Sequence, residues 1–214
     1  MSNLIPYSRR IVGLSLALSL ILGMFAGSTA ALAEPPQDCV RSLYDTLLTT
    51  MKNGSTLGQS GRYARLAPVV DRVFDVPSMT RLAIGPSWAT LSPAQQQQLV
   101  EAFRHYVAAT YADRFDSYSG EQLQVTGERL YNADVIVQTK IAKPGGDTTT
   151  LNYLMHQNQG SWQISDVYLD GTISQLAVQR SEFNSILRRE GADGLVMALN
   201  RKVDLLSHGF AKSS

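Results

Sequence analysis

The residues that could do chemistry in this sequence are few and scattered. The three histidines, His105, His156 and His208, have no metal-ligand spacing with one another, with an acid or with a cysteine. Cys39 is the only cysteine, so it can form neither an intramolecular disulfide nor a cysteine-based metal site. No nucleophile motif, P-loop or dinucleotide fingerprint occurs. We therefore predict no metal, no cofactor and no enzymatic activity, with Cys39 as a buried thiol on the first helix.

One acid stands out because its neighbours are apolar. Asp166 lies in a predicted strand at residues 162–169, and Arg180 follows about a helical turn after Gly171. Since a charge in apolar surroundings needs a partner, we predict that Asp166 and Arg180 form a partly buried structural ion pair. The alternative interpretation is a catalytic acid in the cleft of a small cone-shaped α+β enzyme.

The first 33 residues have the features of a secretory signal peptide. Arg9 and Arg10 precede an uncharged apolar run at residues 11–26, and an A-x-A motif occupies residues 31–33. This run is shorter than the roughly 20 residues that a membrane-spanning helix needs. We predict cleavage before Glu34 and export of a soluble protein.

The remaining residues, 34–214, are predicted to form a single domain. The chain holds 19 basic and 18 acidic residues, and the signal segment takes two of the basic ones, so the domain is nearly neutral. Because no run of five basic residues occurs, the sequence has no electrostatic footprint for nucleic acid.

Apolar residues at helical spacing predict helices over the first half of the domain. The first helix ends near Gly54, a flexible connection at residues 54–61 follows, and Ser78 is predicted to cap a short third helix. The clearest local signal is Ser92-Pro93-Ala94-Gln95, which combines a capping box with proline at the first helical position.

After Gly120 the apolar period changes from that of a helix to that of a strand. Four strands separated by turn residues predict an antiparallel meander, and two helices separated at Gly191 close the chain. The predicted fold is α+β, with helices packed on a curved four-stranded antiparallel sheet enclosing an apolar pocket.

Short motifs from the third helix onward resemble a known family. They are Phe74-Asp75, Met79-Thr80-Arg81-Leu82, Gly85, Trp88, Glu101-Ala102-Phe103-Arg104, Thr110-Tyr111-Ala112, Trp162, Asp166-Val167, Gly171, Arg180 and Phe183. Together they are similar to the MlaC family of periplasmic lipid-binding proteins, also called the toluene-tolerance family. The resemblance extends over about residues 37–206.

Two positions depart from the usual pattern of that family. Asp170-Gly171 stands where Glu-Gly is usual, and Gln179 stands where a tyrosine is usual. Residues 171–177 and 180–183 more closely resemble the hopanoid-biosynthesis-associated branch, HpnM. The resemblance therefore leaves two alternative ligands, a hopanoid and a phospholipid.

The resemblance implies a periplasmic carrier that shuttles lipid between membranes as part of an ABC-type lipid transport system. Its implied partners are the lipid, an inner-membrane ABC transporter and other membrane lipid-transfer components. The apolar stripes of the predicted helices and strands supply candidate lining residues for the lipid pocket. The candidates are Met79, Leu82, Phe103, Tyr106, Val107, Tyr111, Val135, Val137, Tyr153, Met155, Phe183 and Leu187. A purely structural adaptor is a further alternative.

Overall fold

The computed structural model of the protein describes residues 34–208, so the predicted signal peptide lies outside the described residues. The helices are α1 (Pro36–Lys52), α2 (Gly54–Val73), α3 (Val76–Ile84), α4 (Pro93–Arg114) and α5 (Gln175–His208), with a 3-10 helix at Gly85–Thr90. The strands are β1 (Gln122–Tyr131), β2 (Asp134–Ala142), β3 (Thr148–Asn158), β4 (Ser161–Leu169) and β5 (Ile173–Ser174). No helix in this part of the chain is long and apolar enough to cross a membrane.

The strands form one antiparallel sheet in the order β1-β2-β3-β4-β5, which confirms the predicted α+β meander. The sheet has a fifth strand that the sequence did not predict. This strand has only two residues and pairs Ser174 with Tyr168. Alternation of apolar and polar residues, the sequence signal for a strand, cannot be recognised in so short a segment. Bulges in β1 and at the β3–β4 pair interrupt the register, and such bulges increase the local twist of a sheet.

Local hydrogen bonds define where α3 and α4 begin. The hydroxyl of Ser92 accepts from the backbone N–H of Gln95 at 3.3 Å, and the Gln95 side chain accepts from the Ser92 N–H at 3.0 Å. The predicted capping box is therefore confirmed. For α3 the prediction is wrong, because Asp75 is the cap and accepts from the Ser78 N–H at 3.0 Å.

Two glycines break long helical segments. Gly191 adopts φ 68° and ψ −168° inside α5, which confirms two closing helices separated there. Gly58 adopts φ 59° and ψ −177° inside α2. The predicted flexible connection at residues 54–61 is wrong, since this segment is helical on both sides of Gly58. Arg62 stabilises it by donating to the carbonyls of Gly54 at 2.9 Å and Ala112 at 2.8 Å.

The core lies between the helices and one face of β2, β3 and β4. Large side chains from distant segments meet there in edge-to-face pairs, with Phe103 and Phe183 centroids 5.6 Å apart and Phe74 and Tyr111 centroids 5.4 Å apart. Tyr153 is fully buried beneath them. This core joins α4 to α5 and to the sheet, and these elements surround the cavity described below.

Candidate functional site

A cavity of about 540 Å³ lies between α4, the first turns of α5 and the ends of β2, β3 and β4. Ligand pockets in proteins commonly have volumes of about 300–1,000 Å³ and mostly apolar walls. The apolar side chains that line it are Met51, Phe74, Met79, Phe103, Tyr106, Val107, Tyr111, Phe115, Ile141, Leu151, Val167, Leu169 and Leu176. The cavity is therefore large enough and apolar enough to hold the hydrocarbon part of a ligand.

Charged side chains mark one part of the cavity wall. Arg114 at the end of α4 and Lys143 in the β2–β3 turn both line the cavity and are exposed to solvent. Asp116 and Glu121 line the same part, and Glu121 accepts from the backbone N–H of Ser119 at 2.7 Å. Because exposed residues can line a cavity only where it opens, Arg114 and Lys143 mark the opening, and the half-buried Asp116 and Glu121 complete the charged rim.

Five of the predicted pocket residues line this cavity. They are Met79, Phe103, Tyr106, Val107 and Tyr111. Four of these lie on α4, where the predicted apolar stripe faces the sheet. The helix that begins with the capping box is therefore the main helical wall.

The predicted strand residues and Phe183 do not line the cavity. Val135, Val137, Tyr153, Met155 and Phe183 are buried in the close-packed core, none more than 7% exposed. The predicted face of the sheet does face the helices. At the end of that face where Val135 and Val137 lie, however, the bulky side chains of Tyr153 and Met155 fill the space.

The cavity lies further along the same face. Val137 pairs with Tyr153, and four residue pairs further along the strands Ile141 pairs with Thr149, which lines the cavity with Leu151. The alternation that identified Val135 and Val137 also includes Ile141. The sequence signal for these missed residues was therefore present, but it did not show which end of the strands remained open.

The two remaining predicted pocket residues also lie elsewhere. Leu82 is 50% exposed, because Met79 and Ala83, four residues apart on α3, form the inward face of the helix. Leu187 packs against the core and does not line the cavity.

The predicted ion pair between Asp166 and Arg180 is not formed in the described part of the chain. Asp166, only 7% exposed, accepts from the backbone N–H groups of Val167 at 2.7 Å and Leu176 at 3.1 Å, and from the Ser174 hydroxyl. Arg180 is exposed and lies against Gly85. The start of α5 supplies free N–H groups and the positive end of the helix dipole, so the carboxylate is satisfied without a cation.

The buried hydroxyls of Tyr111 and Tyr153 and the thiol of Cys39, which is half-buried rather than fully buried as predicted, are uncharged at physiological pH. Burial raises the pKa of Tyr111 and of Tyr153 above the usual value for a phenol. Burial also raises the pKa of the Cys39 thiol on α1 to about 11, against the opposing effect of Arg72. The cavity therefore gains no negative charge from Tyr111.

His156 and His105 each lie beside an acid in a different part of the fold. His156 Nε2 lies 2.8 Å from Asp75 Oδ2, and His105 Nε2 lies 3.0 Å from Glu101 Oε1. Within residues 34–208 no group of three or more histidine, cysteine or acidic residues is arranged to hold a metal ion.

The fold and the cavity define a class of protein. It is an α+β domain in which helices and one antiparallel sheet enclose an apolar cavity with a charged rim. The chain belongs to the MlaC family, because the sequence profile described as "MlaC protein" matches residues 41–201. This finding confirms the resemblance to the family, whereas the closer resemblance to the HpnM branch stays a prediction.

A solved structure shares this fold. It is the phospholipid-binding protein from Ralstonia solanacearum, in complex with a phospholipid at a resolution of 1.53 Å. The two chains superpose with a TM-score of 0.67 at 24% sequence identity, over 80% of this chain and 98% of the other. The arrangement of helices on the meander is thus shared over the whole length of the relative.

Proposed function

We propose that this protein is a lipid carrier that holds the apolar part of one lipid in the cavity between α4, α5 and the sheet. The observation that carries the proposal is the cavity of about 540 Å³ with a mostly apolar wall, in which the exposed charged residues Arg114 and Lys143 lie where it opens. This distribution is complementary to an amphiphile, whose head group stays near water. Membership of the MlaC family and the phospholipid complex of the R. solanacearum relative support the same function.

The physical need for such a carrier follows from the hydrophobic effect. Each buried CH₂ is worth about 0.8 kcal/mol, so a chain of roughly 16 carbons faces a barrier on the order of 13 kcal/mol to enter water. A cavity lined by side chains such as Phe103, Val107 and Leu151 lowers this barrier without making or breaking a bond.

The cellular setting is part of the same proposal. The protein is exported by its signal peptide, works in the periplasm and passes lipid between membranes together with an inner-membrane ABC transporter. Its ligand is a hopanoid or a phospholipid.

The alternative of an enzyme using the cleft near Asp166 has no support from the geometry. Both carboxylate oxygens accept hydrogen bonds from the backbone or from Ser174. This engagement favours a structural role for Asp166 over an acid–base role.

The deciding experiment is native mass spectrometry of protein purified from the periplasm without detergent. We expect one lipid per chain, and fragmentation then separates a phosphorus-containing phospholipid from a hopanoid. A protein that carries no lipid, and takes up none from phospholipid vesicles or from dispersed hopanoid, would contradict the carrier function.

The export step has its own measurement. We expect the N-terminus of the periplasmic protein to be Glu34, because the A-x-A motif at residues 31–33 follows an apolar run of signal-peptide length. N-terminal sequencing gives the answer directly. A protein that begins at Met1 and fractionates with membranes would contradict cleavage.

A further inference from the structure

Two basic side chains line the cavity where it opens. They are Arg114, in the last turn of α4, and Lys143, in the turn between β2 and β3. Within residues 34–208 neither side chain forms an ion pair or a hydrogen bond, whereas Arg104 on the same helix as Arg114 is paired with Asp71 at 2.6 Å. The donors of Arg114 and Lys143 are therefore available to a ligand.

The chain segments that carry these two bases are in contact with each other. Helix α4 ends at Arg114 and leads into the loop at residues 115–121. A Cβ atom added at Gly120 in this loop would lie 2.8 Å from Pro144 Cγ, and Pro144 directly follows Lys143. One polar group at the opening can therefore be reached from both segments.

The positive charge of Arg114 acts inside the cavity. Tyr111 lies three residues earlier on α4 and lines the cavity. Burial raises the pKa of its hydroxyl, and Arg114 opposes that rise. A positive charge lowers such a pKa because it stabilises the anion. The same charge would stabilise an anionic group of a ligand held beside it.

The acids of the cavity wall have hydrogen-bond donors of their own. Glu121 accepts from the backbone N–H of Ser119 at 2.7 Å, and Asp116 accepts from the hydroxyl of Ser117 at 2.8 Å. The buried Asp166 is hydrogen-bonded to the start of α5, as described above. These partners stabilise the carboxylates within the protein, so the two bases are the charges that a ligand can pair.

We propose that Arg114 and Lys143 form a binding site for an anionic group of the lipid, so that the carrier prefers a polar group with net negative charge to a neutral or a zwitterionic one. A guanidinium can bind a phosphate or a carboxylate through two parallel hydrogen bonds, and the lysine adds a second positive charge. This inference rests on the proposed function as a lipid carrier. A neutral hopanoid would leave the site unused.

The test compares probes that share a chain of the same length and differ in the polar group. Delipidated protein is loaded with Nile red, and the dye is displaced, below micelle-forming concentrations, with dodecyl phosphate, dodecanoate, 1-dodecanol or dodecylphosphocholine. Since one exposed ion pair changes an affinity by up to about five-fold, the two anions should bind roughly 2- to 30-fold more tightly than the alcohol. The tighter of the two anions identifies phosphate or carboxylate as the preferred group. Dodecylphosphocholine, in which an ammonium group cancels the phosphate charge, should bind more weakly than dodecyl phosphate.

Arg114→Gln and Lys143→Gln each remove one positive charge and should weaken binding of dodecyl phosphate by up to about five-fold, with little change for dodecanol. The double variant should lose the preference, whereas Arg114→Lys keeps the charge and should retain most of it. Both side chains are exposed, so we expect these variants to fold. Arg65→Gln is the matched control, because Arg65 is exposed on α2 and lies outside the cavity lining. It should retain the wild-type preference.

The outcomes separate the two proposals. If wild type binds dodecyl phosphate no more tightly than dodecanol or dodecylphosphocholine, the anion site is refuted while the carrier function stands. A preference that the double variant keeps, or that Arg65→Gln loses, would also refute it, because the selecting charge would then lie elsewhere. If none of the probes displaces Nile red and no lipid co-purifies, the carrier function itself fails.

Discussion

At the scale of single residues, the buried acids Asp75 and Asp166 each accept a hydrogen bond from a backbone N–H at the start of a helix. Asp75 caps α3, and Asp166 accepts from the Leu176 N–H in the first turn of α5. Free N–H groups at the start of a helix are natural partners for a carboxylate, because they are unpaired within the helix and lie at its positive end. The two buried acids therefore connect strands to helix starts.

This arrangement predicts unequal effects of changing Asp166 and Arg180. Asp166→Ala leaves the Leu176 N–H and the Ser174 hydroxyl without their acceptor, and should lower the free energy of unfolding by about 1–3 kcal/mol. Arg180→Ala changes an exposed side chain and should stay within about 0.5 kcal/mol of wild type. Urea unfolding measures both. Equal, large losses for the two variants would instead indicate an ion pair.

A second residue-scale prediction concerns Cys39. Burial raises the pKa of its thiol to about 11, above the ordinary 9.0, so at pH 8 the folded protein should hold about 100-fold less thiolate than the unfolded chain. Iodoacetamide should therefore react about 100-fold more slowly with folded than with urea-unfolded protein, and the folded rate should rise with pH up to about 11. Equal rates would show that Cys39 is exposed. Since Cys39 is the only cysteine, the measurement reports on this site alone.

At the scale of elements, glycines decide where helical segments change direction. Gly191 has a positive φ combined with an extended ψ, a conformation that is essentially restricted to glycine. The two halves of α5 can therefore pack separately, with Phe183 before the break and Leu195 after it both buried.

Gly191→Ala should destabilise the protein by about 1–3 kcal/mol, because a side chain in this backbone region is strained. No neighbouring atom lies within 4 Å of the added Cβ, so the effect is conformational rather than steric. Thermal unfolding measures it, with Arg188→Ala on the exposed surface of the same helix as control. An unchanged melting temperature in both variants would show that the break does not need glycine.

At the scale of the whole molecule, the cavity exists because one end of the sheet is filled and the other is not. Tyr153 and Met155 fill the end near Val137, whereas Leu151 and Thr149 leave space beneath α4. The same face of β3 is therefore close-packed core at one end and cavity wall at the other.

This difference predicts opposite results for the same substitution at two sites. Leu151→Trp should reduce bound lipid with little change in melting temperature, because the larger side chain enters the cavity. Val137→Trp should lower stability by about 1–3 kcal/mol or more, because Val137 is fully buried in packed core. Lipid per protein and melting temperature are measured together. Equal destabilisation of both, without selective loss of lipid, would contradict the position of the cavity.

The sequence by itself determined the features that depend on a few neighbouring residues. The capping box at Ser92, the helix break at Gly191 and the alternation that includes Val137 were all predicted correctly, because each depends on one turn of helix or a few residues of strand. The family was also evident from the sequence, since its motifs extend over most of the domain.

Only the tertiary structure decided which side chains leave space and which partners buried charges find. Residues 54–61 look flexible in sequence, yet Arg62 holds them against α4. Asp166 binds the start of α5 because chain folding brings that helix terminus to β4. The cavity lies beside Leu151 rather than Tyr153 because its position depends on side-chain volumes contributed by segments far apart in the chain. Periodicity shows which face of a strand is apolar, but the packing of distant residues against that face decides where it remains open.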